Sequence, residues 1–551
     1  MPGRRFRAVA MAACAAAAAT AIWRFLTFTG FNNDHYIHLA PAQQMLLGDW
    51  PVRDFADPGM PLTYLVSAVA RLVGGRALIV EWLVVAGAFA IGAAFTVLAA
   101  WRLSGSVTVA LMVTLLEVII SPRSYGYPKI VLYAIAAWII VVAAERMTRG
   151  RLVLLGVMTA VAFLFRHDHG LYIGAGALAI TLLGHGREEW RRRRRDAGLL
   201  LLTIGALLAP WALFVEYHAG LVEYARNALV FARHEATASV LEAMPSIDFT
   251  TTLFTPDNSL AWLFYLFHVL PPGCAMLAWW RWRHGHERWD GESAAVAALA
   301  VMAVFVNVGF LRDTLAARVP DAIVLAAVLG AWLIAVAWGM QGWAVRTVVM
   351  TTTALIVLIT TASIASSASV DERLRRAGLL TGSAGAFRTR LADLSARLLR
   401  TMPEGDQMPS RYSAALMPFV AYLGRCTSPG DRLLMTRMNP DVYVLANRGF
   451  AGGYIAYSIY DGYPTIADQA IAVRRMRTQS VPFALFEEDL GDFRRRKPLI
   501  AAFVDERYEA LAVIEIEDAS PLTLYVERKR RRVGLDAATG WPCFPVDPRR
   551  D

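Results

Sequence analysis

Lysine is nearly missing from this chain. It occurs only at positions 129, 497 and 529, so almost all the positive charge is arginine. There are four cysteines but no CxxC pair and no HExxH segment, so no motif supports a metal site. No repeat of the length that marks solenoids or propellers is visible. The formal net charge is +10, a balance that invites a nucleic-acid reading. Arginine, however, is spread through short loops between apolar blocks, which is how cytoplasmic loops of membrane proteins are marked.

Apolar sequence is what the chain has in excess. Hydrophobic residues make up 56%, against about 45–50% in soluble chains, and they fall in blocks such as "IVEWLVVAGAFAIGAAFTVLAA", "IVLYAIAAWIIVVAA" and "AIVLAAVLGAWLIAVAWGM". Several blocks approach the roughly 20 residues that a helix needs to cross a bilayer. Backbone polar groups in lipid must be bonded within their own segment, so these blocks are helices. The chain reads as a polytopic α-helical membrane protein over residues 1–368, with about eleven spans and one re-entrant or juxtamembrane helix. A soluble α/β domain follows over residues 369–551.

Charge sets the expected orientation. The basic "MPGRRFR" and its Ala-rich run form a first span, with a cleaved signal peptide as the alternative; either way the chain emerges outside. The most basic loop, "GHGREEWRRRRRDAG" (184–198), belongs in the cytoplasm. Counting crossings puts it there only if "MPLTYLVSAVARLVGG" (60–75), short and carrying Arg71, does not cross. The outer face then receives the first loop (29–78), "SPRSYGYPK" (121–129), "RHDHG" (166–170), the loop from Glu216 to about Ser259, and everything after about Ser369. The expected location is the cytoplasmic (inner) membrane, with the C-terminal domain periplasmic or extracellular.

Three of those loops concentrate ionisable and aromatic groups: Asp34, His35, His38, Arg53, Asp54 and Asp57; Arg123, Tyr125, Tyr127 and Lys129; and Arg166, His167, Asp168 and His169. Such groups at membrane depth are costly and often mark a site. A carboxylate can take a proton while neighbouring cations hold an anionic oxygen. Arg123, Lys129 and Arg166 suit a phosphate. Plainer readings compete. Arg123 and Arg166 could snorkel toward headgroups, Tyr125 and Tyr127 could belong to an interfacial belt, and Asp34 could simply cap a helix. The 167–169 run, and His35 with His38, leave a divalent metal open, although adjacent loop residues rarely aim at one ion. Asp34 and His38 lie one helical turn apart. Pro41 should kink or restart that helix, and Gly48 should stop it.

An acidic residue just after the first span, then "AQQMLLGDW" and "FADPGMPLTYLVSA", resembles the first external loop of GT-C membrane glycosyltransferases. The nearest pattern is the family containing lipid A aminoarabinose transferases and protein O-mannosyltransferases. The resemblance extends to about residue 215, through "SPRSYGYPKIVLYAIAAW" and "AFLFRHDHGLYIG". It implies a polyprenyl-phosphate-linked sugar donor, a glycan, lipid or protein acceptor, an outer-face reaction and inversion at the anomeric carbon. It places the catalytic acid at Asp34. The chain departs from the pattern in two places. His35 stands where the family often has a second acid, and no acid is found near Lys129, for which Asp168 is the candidate substitute. A transporter or flippase, or a protein that binds the lipid carrier without catalysis, is the alternative.

In the C-terminal part, "DERLRRAGLLTGSAGAFRTRLADLSARLLR" reads as amphipathic helix with a break. "DRLLMTR", "VPFALFEED", "ALAVIEIE" and "LTLYVERK" read as strands, with "IADQAIAVRRMRT" as a helix between them. Cys426 and Cys543 are expected to form a disulfide in an oxidising compartment, two free buried thiols being the alternative. Cys14 and Cys274 read as small apolar residues within spans.

Overall fold

The computed structural model describes residues 2–184, 190–239, 244–285, 291–311, 318–379, 383–404, 407–458, 463–487 and 490–545. Parts of the two most basic loops, 185–189 and 286–289, lie outside the described residues. The first helices are α1 (Pro2–Leu26), α2 (Asn33–Leu46), α3 (Pro61–Gly74), α4 (Leu78–Ser104), α5 (Val107–Ile120), α6 (Tyr127–Glu145), α7 (Arg149–Phe165) and α8 (His167–Leu183). They are followed by α9 (Trp190–His218), α10 (Leu221–Ser239), α11 (Pro256–Gly285), α12 (Gly291–Leu311), α13 (Ile323–Gly339) and α14 (Trp343–Ser367). The C-terminal part adds α15 (Val370–Arg376), α16 (Ala384–Leu398), α17 (Arg411–Ala415), α18 (Met417–Cys426), α19 (Pro440–Ala446), α20 (Ile466–Thr478), α21 (Leu490–Arg496) and α22 (Pro498–Arg507). Its strands are β1 (Arg432–Met435), β2 (Gly449–Phe450), β3 (Phe483–Phe486), β4 (Tyr508–Ile514), β5 (Leu522–Glu527), β6 (Gly534–Leu535) and β7 (Pro542–Cys543).

Among the described residues, eight helices are long and apolar enough to cross a membrane: α1, α4, α6, α9, α11, α12, α13 and α14. The sequence count of about eleven also included the blocks that form α5, of 14 residues, and α7 and α8, of 17 each. These are at or below the roughly 17-residue lower bound for a spanning helix. α7 and α8 are separate because Arg166 between them is extended, with φ −167°. Gly170 permits the tight turn there, since a Cβ on it would lie 2.4 Å from Phe163 Cβ.

The chain packs into two compact units, one of Met1–Phe28, Leu83–Ala212 and Ser239–Ser395, the other of Thr29–Trp82, Leu213–Ala238 and Ala396–Asp551. The hydropathy boundary at 368/369 therefore differs from the division by packing, in which the first loop shares a unit with the C-terminal domain.

The first unit is a helical bundle. Small residues of α1 (Ala12, Ala13, Ala16) meet Val97 and Ala100 of α4, Ala110 of α5, and Ala327 and Ala331 of α13. Small side chains let helix backbones approach closely where no hydrophobic effect drives them together. Its outer faces are apolar, with Leu201, Leu202, Val348 and Leu358 exposed, as suits lipid rather than water.

The second unit is built on a five-stranded sheet in the order β2-β1-β3-β5-β4. β2, β1 and β3 run parallel, and β5 is antiparallel to both β3 and β4. β3 is buried at every residue, as in sheets covered on both faces. α20 and α22 cover one face, placing Met476, Phe503 and Val504 among Leu434, Phe486 and Tyr508. α18 covers the other, with Phe419 edge-on to Phe483 at 6.0 Å. A disulfide joins Cys426, at the end of α18, to Cys543 of β7.

Strand β2 forms one edge of this sheet, and the first loop closes it. Gln44 of α2 accepts from Phe450 N at 3.0 Å and donates to Phe450 O at 3.2 Å. One side-chain amide thus serves the exposed backbone as a neighbouring strand would. Gly449 is required beside it, because a Cβ there would lie 2.8 Å from Gln44 Oε1. Asp49 accepts from Gln44 Nε2 at 2.6 Å and pairs with Arg432 of β1 at 2.5 Å. Ala56 N donates to Gly453 O at 3.0 Å, and Gln43 to Asn447 Oδ1 at 2.7 Å.

α2 continues through Pro41 without restarting there, and ends just before Gly48, whose φ is +95°. α3 has 14 residues, too few to span. Its buried face carries Thr63, Ser67 and Arg71, while Leu65, Val69, Leu72 and Val73 are exposed. An apolar outward face on a short helix suits the membrane interface. α10 falls inside the segment from Glu216 to about Ser259, which the sequence reading treated as loop.

Asp441, at the start of α19, is fully buried. Burial pushes its carboxyl up to about 6, and neither of its oxygens has a hydrogen-bond partner within the described residues. The unfolded chain releases this proton first, so the group costs stability as pH rises from about 4 to about 6. Asp441→Asn should gain on the wild type across that window, by at most on the order of 3 kcal/mol. Unfolding of the full chain in detergent at pH 4 and pH 7 measures this, and a difference between the two proteins that ignores pH would contradict it.

Candidate catalytic and phosphate-binding residues

In the second unit, Asp34 occupies the first turn of α2, half-buried. It is not the cap. That role belongs to Asn32, whose side chain accepts from His35 N. Acidic residues favour such first turns for their fit to the helix dipole. His38 lies one turn on and is also half-buried.

His35, expected to touch substrate, is instead fully buried. Its Nε2 lies 2.9 Å from Glu81 Oε1, which also accepts from Ser67 Oγ at 3.1 Å. Its ring stacks on Phe31 at 4.5 Å between centroids. A side chain so enclosed ties α2 to α3 and to the start of α4, and so fixes the turn that carries Asp34. Arg53 and Asp54 pair with each other on an exposed turn, where Asp54 accepts from Trp50 N at 2.8 Å and Arg53 donates to Gly48 O at 3.0 Å. Asp57 accepts from Gly59 N and Met60 N, each at 2.9 Å, and from the Tyr224 hydroxyl of α10 at 2.8 Å.

In the first unit, the candidates of the second and third loops draw together in part. Lys129, one turn into α6, is buried in an ion pair with Asp321, which sits in a 3-10 turn at Val319–Ala322. Gly126 makes room for that carboxylate, since a Cβ there would lie 2.8 Å from Asp321 Oδ1. Arg166 pairs with Asp168 at 2.8 Å. His169 Nδ1 lies 3.0 Å from the Tyr133 hydroxyl and 3.2 Å from Asp168 Oδ1. A small cavity of about 20 Å³ is lined by Lys129, Tyr133, Arg166, Asp168, His169 and Arg318, among others. Among the described residues, three cations (Lys129, Arg166, Arg318) and one carboxylate (Asp168) line this cavity, with Asp321 behind Lys129, a balance that favours an anionic guest.

Not all the candidates join this cluster. Arg123 is exposed and does not line the cavity, and Tyr127 is buried at the start of α6. His167 stacks on Phe163 at 4.2 Å, away from the direction His169 takes toward Tyr133. The 167–169 run therefore does not converge on one point. Among the described residues no group of three His, Cys, Asp or Glu side chains could hold a metal ion.

The sequence reading missed Asp321, Arg318, Tyr133 and Glu81. Glu81 did carry a signal, as a charge inside the block "IVEWLVVAG". Asp321, 192 residues further along the chain, brings a carboxylate to Lys129.

No family model matches the sequence, and no curated protein matches it. Among solved structures, the chain is similar to ArnT from Cupriavidus metallidurans, crystallised with undecaprenyl phosphate. The match has a TM-score of 0.53 at 14% identity, covering 92% of this chain and 97% of that one. The chain shares the fold of that protein. At so low an identity the likeness is one of fold.

The Lys129–Asp321 pair lends itself to a mutant cycle. Asp321→Leu alone strands a buried ammonium and should cost roughly 3–5 kcal/mol, whereas Lys129→Met with Asp321→Leu should recover most of it. Denaturant unfolding of the four proteins measures the coupling, and additive losses would show that the two charges do not support each other.

Proposed function

We propose that this chain transfers a sugar from a polyprenyl-phosphate donor to a glycan, lipid or protein acceptor of the cell envelope, on the outer face of the cytoplasmic membrane. The observation that carries the reading is a GT-C-like fold that also contains a cation-lined cavity at Lys129, Arg166 and Arg318. The structurally similar ArnT was crystallised with undecaprenyl phosphate, a ligand of the class such a cavity suits.

Asp34 is assigned the role of base. Its carboxylate takes the proton of an acceptor hydroxyl as that oxygen attacks the anomeric carbon. The bond from the anomeric carbon to the phosphate oxygen breaks, and its electron pair leaves with the polyprenyl phosphate. One displacement inverts the centre and needs no covalent enzyme intermediate, as in inverting hydrolysis. The departing phosphate needs no strong acid where cations stabilise its charge. Lys129, Arg166 and Arg318 are assigned that part, with Asp168 and Asp321 keeping the cations placed and partly neutralised while no phosphate is bound. His35 and Glu81 are positioning residues for Asp34. The outward orientation of the C-terminal domain follows from the distribution of arginine and suits the Cys426–Cys543 disulfide.

Asp34→Asn should lower sugar transfer by roughly 10²- to 10⁴-fold with no loss of expression. The assay follows release of polyprenyl phosphate from a radiolabelled donor in membranes carrying the full chain. Unchanged transfer would remove Asp34 from the mechanism.

A further inference from the structure

The second unit contains a cleft that the catalytic assignment does not use. Its volume is about 290 Å³, and α10, the turn after β2, helix α20 and the Val52–Pro58 segment of the first loop enclose it. That volume sits at the lower end of small-molecule sites, roughly 300–1,000 Å³, and leaves room for one or two pyranose rings.

The lining is aromatic and polar together. Phe231 meets Tyr463 at 5.7 Å and Tyr463 meets Tyr454 at 5.9 Å, with interplanar angles of 74° and 71°. Rings turned so far from one another present faces in more than one direction, and an aromatic face is electron-rich enough to attract polarised C–H groups. Beside them stand the carboxylates Asp57, Glu223 and Asp468, the Asn227 amide, the His218 imidazole and the Arg475 guanidinium.

Two of those carboxylates are held in place before any ligand arrives. Asp57 is fixed by Gly59 N, Met60 N and the Tyr224 hydroxyl. Asp468 is fixed by Thr465 through its backbone N at 3.0 Å and its hydroxyl at 2.6 Å. Arg475 is anchored by a 2.7 Å bond to Arg53 O. Acceptors fixed in this way bind hydroxyl donors without a further ordering cost. Glu223 is paired with Arg226, and Asp57 and Asp468 against Arg475 still leave the described lining acidic, which disfavours phosphates and acidic sugars, the opposite of the Lys129 cavity.

We propose that this cleft is a binding site for an uncharged saccharide, its C–H face against the Phe231–Tyr463–Tyr454 rings and its hydroxyls on Asp57, Asp468 and Asn227. A transferase would use such a site to hold the glycan part of its acceptor, away from the reacting hydroxyl. That use rests on the transferase reading, whereas the binding itself does not.

The test uses the full chain in lipid nanodiscs and a panel of methyl glycosides of neutral hexoses and pentoses, with methyl glucuronide and inorganic phosphate as charged comparators. Saturation-transfer NMR reads which ring protons touch protein. At least one neutral glycoside should show transfer at its ring C–H protons. Asn227→Ala, an exposed change, should weaken its binding about tenfold, the worth of one good hydrogen bond. Ala228→Trp should fill the cleft and abolish binding. The proposal is overturned if no neutral glycoside binds, if the glucuronide binds as tightly, or if Asn227→Ala binds like the wild type. Because binding is read without turnover, a chain that binds the glycoside but transfers nothing removes the transferase reading and leaves the cleft. Transfer without binding in the cleft does the reverse.

Discussion

The second unit depends on how the short edge strand β2 is finished. A two-residue strand leaves backbone donors and acceptors facing outward, and in a buried setting each unmet group costs on the order of 1–3 kcal/mol. Gln44 meets both groups of Phe450 with one amide, and Asp49 and Arg432 brace that amide from the side. The polar first loop is therefore part of a folded unit, not a tether between two spans. Its charged residues are largely occupied in building it: Asp49 braces the sheet edge, Asp54 closes an exposed turn and Asp57 starts the approach to α3. Asp34 lies in the first turn of α2, where the cap is supplied by Asn32.

In the bundle the governing constraint is the cost of charge away from water. Lys129 and Arg166 each have a carboxylate within ion-pairing distance, and each pair is assembled by a backbone feature. Gly126 admits the Asp321 carboxylate, and Gly170 allows α7 and α8 to fold back on each other so that Arg166 and Asp168 meet. Paired in this way, the cations are tolerable when the cavity holds no anion, and they remain close enough to serve one. The cleft beside α10, in the second unit, has the opposite balance of charge.

Much of the fold was legible in the sequence because its signals are local. Apolar blocks gave the helices, and the shortness of the 60–75 block with Arg71 inside it marked a short helix, which α3 is at 14 residues. The four main strands and α20 follow from alternation and flanking polar residues, and the Asp-rich first loop resembles the GT-C pattern in its sequence alone. The rest was not legible because it rests on pairings across long stretches of chain. Lys129 and Asp321 are 192 residues apart, and Gln44 and Phe450 are 406 apart. Neither pairing leaves a periodic trace. His35 misled for a related reason: in a polar loop a histidine reads as exposed, and only the arrival of Glu81 from the next apolar block buries it. α10 was missed because the breadth of the Glu216–Ser259 loop hid a helix of mixed polarity.

The central claim is that a cation-rich cavity in a GT-C-like bundle serves a polyprenyl phosphate. Native mass spectrometry of the full chain, released from detergent after incubation with equimolar undecaprenyl phosphate and undecaprenol, tests it most directly. The account predicts a retained one-to-one adduct with the phosphate and little or none with the alcohol, since the two lipids differ only in the group that the cations would hold. Equal retention of both lipids, or of neither, would contradict it.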